Sequence, residues 1–445
     1  MLISFRVQNF RSFADEQELS MLAGPDDMHA GTLIESESGA VLPVAGIYGA
    51  NASGKSNLLT AITVMKKFVV RSATEMNLGD RIPGMVPFRL DPELRDEPCR
   101  FEIAVVVDGT YFEYGFAATS EAVHSEHLKV RKRGGRLVER FRRTLDQETG
   151  KVDWAFRGLK KKDEAVLQER TRGNGLVLSR AAELNMPEFA ELYLWIRKRL
   201  WSFDLSEPPR ELAAITARET FLREEFRHRM ESMLRDADLD IAGVAVKKAP
   251  PVIADELPTK VKNAIEEVLT ENGRALEGFP VTTTHVDTAG HPVEFSLEED
   301  ESNGTQRFFA TAGPILDALA TGATLVVDEL ECSMHPLLTR KLVQMFLDPN
   351  LNERGAQLIF STHDTSLLDR ELLRRDQVWI ADKRQNGATE LYSLYDFRED
   401  EDGGRPRKTE SFARRYLEGR YGGVPSFGPM FEDLVTGRGE QSADE

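Results

Sequence analysis

Gly49-Ala50-Asn51-Ala52-Ser53-Gly54-Lys55-Ser56 is a complete G-x-x-x-x-G-K-S loop, and its flanks decide how the chain is read. Residues 41–49, VLPVAGIYG, form a short apolar run ending in glycine, and a helical pattern follows from Lys55 to about Val70. A glycine turn between strand and helix lets backbone N–H groups curl around phosphate oxygens, and the helix N-terminus adds a favourable dipole. Lys55 is expected to neutralise the β- and γ-phosphates of a nucleotide, and the Ser56 hydroxyl to ligate Mg²⁺. Gly49, Asn51, Ser53, Gly54 and Asn57 complete the expected nucleotide contacts.

The loop alone does not name the chemistry, so the second half of the chain matters. Thr324-Leu325-Val326-Val327-Asp328-Glu329 is an apolar strand ending in two carboxylates. Asp328 at the strand tip suits a Mg²⁺ ligand, and Glu329 can polarise an attacking water. A second apolar strand, Leu358-Ile359-Phe360, leads into Ser361-Thr362-His363-Asp364, which puts His363 35 residues after Asp328. A histidine at the tip of a strand parallel to the first can reach a γ-phosphate or the lytic water.

Together these stretches resemble the ABC-type ATPase heads of the SMC, RecF and OLD group. The residues that carry the resemblance are NFRSF at 9–13, GANASGKSN at 49–57, VVDELECSMHP at 326–336 and STHD at 361–364. In that group a signature loop precedes the carboxylate strand. The matching segment is Glu301-Ser302-Asn303-Gly304-Thr305-Gln306, with Ser302 26 residues before Asp328. It keeps the Ser and the second Gly of the usual LSGG form but not the Leu or the first Gly. Ser302 is also well placed to cap a helix running through Phe308–Leu319, and a capped helix N-terminus is itself an anion site. The chain resembles more closely still the stand-alone RloA-type ATP-binding proteins of prokaryotic defence loci. That likeness covers most of its length, through MLISFRVQNFRSF, VAGIYGANASGKSNLL, SMHPLLTRKL and the late EGRYGGVP at 418–425.

The resemblance implies an α/β P-loop NTPase of ABC-ATPase head type, with a β-rich N-terminal lobe, a mixed sheet and an inserted helical region. It implies ATP and Mg²⁺ as ligands, and a head-to-tail homodimer or higher oligomer with two nucleotides in its interface. Lys55, Ser56, Asp328, Glu329 and His363 would come from one subunit and Ser302 with Gly304 from the other. Ser333 follows the catalytic glutamate where that loop crosses the interface, and Arg11 matches the arginine that approaches the nucleotide. The glutamine-bearing loop that completes the Mg²⁺ shell is sought around Pro87-Phe88-Arg89. A separate nuclease-type effector encoded nearby, controlled in antiviral defence, is implied as partner. The expected organisation is an N-terminal ATPase lobe over 1–150, a mainly helical insert over 151–277, a C-terminal ATPase lobe over 278–397 and a tail over 398–445.

Composition sets limits on these expectations. The 445 residues carry a net charge of −17, so the chain is no broadly basic nucleic-acid coat. Two cysteines, Cys99 and Cys332, are too few for a disulfide scaffold and form no CxxC zinc pattern. No apolar run approaches the roughly 18 residues of a membrane span, and MLISFRVQNFRSF reads as a strand rather than a leader, so a cytoplasmic protein is expected. Only 48 residues follow position 397, too few for an appended Toprim nuclease.

Elsewhere, Asp108-Gly109 and Gly134-Gly135 predict two hairpins, and residues 186–201 are apolar at helical spacing. Over 211–236, Leu212, Ile215, Leu222, Phe226, Met230 and Met233 are expected on one helical face, and Val261 to Leu269 repeats the pattern. Residues 129–143, KVRKRGGRLVERFRR, hold eight Lys/Arg and one Glu. They are a candidate DNA-backbone patch, as in a RecF- or SMC-like repair ATPase, although solvated charges on a hairpin are the favoured reading. Two metal patterns fail. His124 and His127 lie three apart in a strand-like stretch and so face opposite ways, and Asp236, Asp238 and Asp240 start a calcium loop whose later positions are Ile241 and Lys247.

Overall fold

The opening strand, Leu2–Gln8, is apolar on alternate residues and pairs antiparallel on both sides, with Gln17–Ser20 and with Cys99–Val107. The computed structural model describes residues 1–205, 210–237, 239–249, 278–398 and 411–425. The Val261–Leu269 pattern, Asp238 and most of the REDEDGG stretch lie outside the described residues. The chain divides into two compact units, Met1–Lys198 with Ile359–Glu445, and Arg199–Leu358.

In the first unit, a seven-stranded antiparallel sheet runs from Gln17–Ser20 through Leu2–Gln8 and Cys99–Val107 to Val152–Phe156. The Asp108-Gly109 turn joins Cys99–Val107 to Thr110–Ala118, with Val107 opposite Thr110, as the dipeptide predicts. The hairpin around Gly134-Gly135 joins Val123–Arg131 to Val138–Leu145. A further sheet in the first unit is mixed. Val44–Tyr48, buried at every position, lies beside the strand ending at Ser361, and on its other side pairs parallel with Val378–Lys383. Val378–Lys383 pairs antiparallel with Thr389–Ser393. The helix Lys55–Arg71 leaves the first of these strands through the phosphate loop. Its Phe68 meets Phe116 edge-on at 5.3 Å, and Phe116 touches Phe101, so an aromatic cluster ties this helix to the antiparallel sheet.

In the second unit, Leu200–Asp204 pairs parallel with Thr324–Asp328. Gly243–Val246, Val281–Val286 and Pro292–Ser296 make a small antiparallel sheet. The helix Asn303–Thr321 is apolar along most of its length and ends at Gly322, whose φ of +69° closes the C-terminus. Between 151 and 277 the described residues form five helices and three strands.

One expectation is corrected. The 211–236 stripe is not one helix but two, Arg210–Leu222 and Glu224–Asp236, broken where Arg223 turns extended. Ile215 and Leu222 are exposed, and the first helix buries Leu212, Thr216, Ala217 and Thr220 instead. Thr216 donates to Ala310 O at 3.1 Å and sits against Gly313, so small polar residues fill the helix contact that the apolar pattern assigned to Ile215.

Candidate functional site

Two glycines shape the phosphate loop by what they lack. A Cβ on Gly49 would lie 2.3 Å from Ala381 O and 2.5 Å from Ser53 Oγ. A Cβ on Gly54, at φ +112°, would lie 2.1 Å from Thr389 Oγ1. The loop therefore packs so closely on Val378–Lys383 and Thr389–Ser393 that a side chain at either glycine would push it away. Lys55 is buried, and its ammonium donates to Gly49 O at 2.9 Å and Ala50 O at 3.2 Å. Ser53 is 2% exposed, yet its hydroxyl has no hydrogen-bond partner. A buried hydroxyl left unpaired inside a cationic cradle fits a phosphate oxygen as its missing partner. Asn51 and Ser56 are exposed, so both face solvent at the mouth of the loop.

A relay that sequence reading missed holds the loop from behind. Thr389 Oγ1 lies 2.7 Å from Ser53 O and 2.8 Å from Ser12 Oγ, and Asn57 Nδ2 donates to Ser12 Oγ at 2.8 Å. Ser53 O can only accept, so the single Thr389 proton goes there and Ser12 donates its own to Thr389. Residues from three distant parts of the chain thus end on one carbonyl of the loop. Thr389 carries no local signature, and nothing in the NFRSF stretch around Ser12 signals this contact.

Arg11 lies beside the loop. Its backbone is left-handed, its N–H bonds Val86 O at 2.8 Å, and its guanidinium donates to Asn57 Oδ1 at 3.3 Å. A cleft of about 440 Å³ opens here, lined by Arg11, Ser12, Ala52, Asn57, Phe88 and Lys383 among others. The Pro87-Phe88-Arg89 stretch lines it too, but Val86–Leu90 holds no glutamine. The N–H of Thr362 bonds Ile47 O at 3.1 Å, so the exposed His363 leaves the sheet next to the strand that feeds the loop.

The other predicted residues belong to the second unit. Asp328 ends its strand half-buried, in register with Asp204 of the neighbouring strand, and its carbonyl accepts from Leu205 N–H at 3.2 Å. Glu329 is left-handed at φ +54°, a conformation that turns the chain sharply off the strand end. Ser302 caps the helix Asn303–Thr321, its hydroxyl accepting from Thr305 N–H at 3.1 Å. A Cβ on Gly304 would come within 3.0 Å of Ser333 O, so the signature-like loop and the loop after Glu329 are in close contact. The neighbouring Glu301 is tied to Thr283 and His285.

The basic run 129–143 is largely engaged. Lys129 pairs with Glu113, Arg133 with Glu37 and Arg142 with Glu139. Arg131 donates to Ser38 and lies over the Tyr111 ring, and buried Arg143 pairs with buried Glu126. His127 reaches Glu102, and with Glu113 these donors lie within 4.8 Å of one another. Arg6 and Lys129 already balance both carboxylates. Burial pushes the Cys99 thiol up to about 12, which leaves it inert.

A family model described as "AAA domain, putative AbiEii toxin, Type IV TA system" matches residues 44–369. Among solved structures, the SMC head domain from Thermotoga maritima is similar at 13% identity and a TM-score of 0.37, over 88% of this chain and 98% of that one. RecF with ATP, from the RecFOR pathway, is similar at 16% identity and a TM-score of 0.32, over 88% of this chain and 97% of that one. An SMC head from Pyrococcus furiosus, bound to the C-terminal domain of ScpA, is similar at 10% identity and a TM-score of 0.36, over 88% and 96% of the two chains. No curated protein matches significantly. Among the described residues, no helix is long and apolar enough to cross a membrane.

Proposed function

The chain belongs to the AAA-domain family whose model spans residues 44–369, and from that premise we propose that it binds ATP with Mg²⁺, hydrolyses it, and dimerises around the nucleotide to switch a separate effector in antiviral defence. The observation that carries this reading is the phosphate loop, with Lys55 buried in a glycine cradle beside the unpaired Ser53 hydroxyl. Lys55 and the loop amides bind the β- and γ-phosphates, and Arg11 and Asn57 flank them. Ser56 and Asp328 would hold Mg²⁺, oxygen donors of the hard kind that ion prefers, and the bound ion would neutralise phosphate charge. Glu329 takes the role of orienting the attacking water, and His363 that of sensing the γ-phosphate.

Ser302 and Gly304 are assigned to the nucleotide of the partner subunit, which makes hydrolysis depend on pairing. The effector, a nuclease-type protein encoded nearby, follows from the resemblance to defence-locus proteins; the family's description, with its Type IV TA system, fits that setting. A repair ATPase that clamps DNA through residues 129–143 is the second reading. It is weakened because five of the eight cations there already have protein partners.

One pair of variants tests the proposal. Glu329→Gln should keep ATP affinity, lower turnover by roughly a hundredfold or more, and accumulate as an ATP-dependent dimer in light scattering. Lys55→Ala should lose nucleotide binding and stay monomeric. Near-normal turnover in Glu329→Gln would sink the catalytic assignment.

A further inference from the structure

The EGRYGGVP string at 418–425 has no part in the chemistry above, yet it is packed against the root of the phosphate loop. The short helix Phe412–Leu417 places Tyr416 edge-on to Tyr48, the residue just before Gly49, with ring centroids 6.2 Å apart. The Tyr416 hydroxyl donates to Gly423 O at 2.9 Å. That bond and the Tyr48 contact set Gly423 against the loop. Gly423 itself lies so close that a Cβ there would sit 3.4 Å from Gly49 Cα and 2.7 Å from Ile380 Cγ2.

The rest of the segment is fixed just as tightly. Gly422, at φ +69°, has Asp382 Oδ2 and Tyr392 Oη within 2.6 Å of where its Cβ would be. Tyr392 donates to Tyr421 O at 2.6 Å, and the Tyr421 ring is fully buried against Phe397. At the helix start, Ala413 N–H bonds Leu368 O at 3.1 Å, in the turn that follows His363. A single element therefore touches both the loop root and the turn after His363. The two adjacent glycines, both left-handed, allow this close approach and no bulkier pair would.

We propose that residues 412–425 are a strap that holds the phosphate loop in its binding shape, with Tyr416 as the positioning residue. The strap rests on reading residues 49–56 as the nucleotide loop. Tyr416 touches no phosphate; through Tyr48 and Gly423 it fixes the place of Gly49, from which the loop starts. A Phe in its place keeps the packing on Tyr48 but leaves Gly423 O without its donor.

The test uses the full-length protein and Mg-ATP, with urea midpoints measured alongside. Tyr416→Phe should weaken ATP binding by about three- to tenfold, beyond what its stability change accounts for, and speed hydrogen exchange at the Gly49 amide. Gly423→Ala, which forces the strap away from Ile380, should do the same. Lys55→Ala is the control for the loop. If Lys55→Ala abolishes binding while Tyr416→Phe binds like wild type, the strap is wrong and the loop reading stands. An affinity loss without faster Gly49 exchange also overturns the strap. If wild type and Lys55→Ala are alike in binding no ATP, both readings fall.

Discussion

The phosphate loop and the basic hairpin over residues 129–143 treat their polar groups in opposite ways. The loop carries one cation, Lys55, and leaves a buried hydroxyl, Ser53 Oγ, without any partner. The hairpin carries eight cations, five of which already meet a carboxylate, a hydroxyl or an aromatic face. A binding site needs interactions still to be made, because a group already satisfied has to give up one partner to gain another. Charge density in a sequence therefore says little about availability. The sparse loop is the better site.

Arg143 gives the sharpest way to break this contrast, since it is the hairpin cation committed most deeply. Its guanidinium lies 3.1 Å from Glu126 and donates to Gly175 O at 2.5 Å. Glu126 also accepts from Tyr114 Oη at 2.9 Å, Val177 N–H at 2.7 Å and Leu178 N–H at 3.0 Å. Both side chains are buried, so Arg143→Ala strands a carboxylate and should cost about 3–5 kcal/mol in urea unfolding. A loss below about 1 kcal/mol would mean that the pair is not structural and that Arg143 is open to another role.

Thr389 tests the loop side with a smaller change. Thr389→Val removes the donor to Ser53 O and the acceptor for Ser12, and should cost about 1–2 kcal/mol with a matching loss of ATP affinity. Thr389→Ser restores the hydroxyl and should recover most of both. Equal behaviour of the Val and Ser variants would show that the methyl packing, not the relay, supports the loop.

These two sites also mark where the sequence is legible. The G-x-x-x-x-G-K-S loop, its strand and its helix are local, so Gly49 through Ser56 could be read directly from spacing. So could the hairpins at Asp108-Gly109 and Gly134-Gly135, whose turn chemistry is contained in two residues. The Ser12–Thr389 relay joins positions 377 residues apart, and its hydroxyls look like any surface Ser or Thr until the fold brings them together. The Arg143–Glu126 pair is hidden for a related reason. In the sequence both belong to charged strands, and only the pairing of Val123–Arg131 with Val138–Leu145 turns them inward. The break at Arg223 escaped because no glycine or proline marks it, and apolar periodicity carried across it unchanged.

The smallest expected effect concerns the hairpin cations that remain. Among the described residues, the side chains of Lys132, Arg136 and Arg140 have no hydrogen bond or ion pair. If the hairpin binds DNA, these three must carry it, because the other five would have to abandon existing partners. Three neutralised phosphates would give a salt dependence of about three units in log K against log salt. Reversing all three to Glu should erase that slope and the affinity with it. On a chain of net charge −17, three exposed cations on one hairpin are too few to overcome the overall field, so wild type should bind duplex weakly. The triple variant should then differ from it by less than about twofold at physiological salt. A loss of tenfold or more, with the slope flattened, would make the hairpin a DNA clamp and return the repair reading to first place.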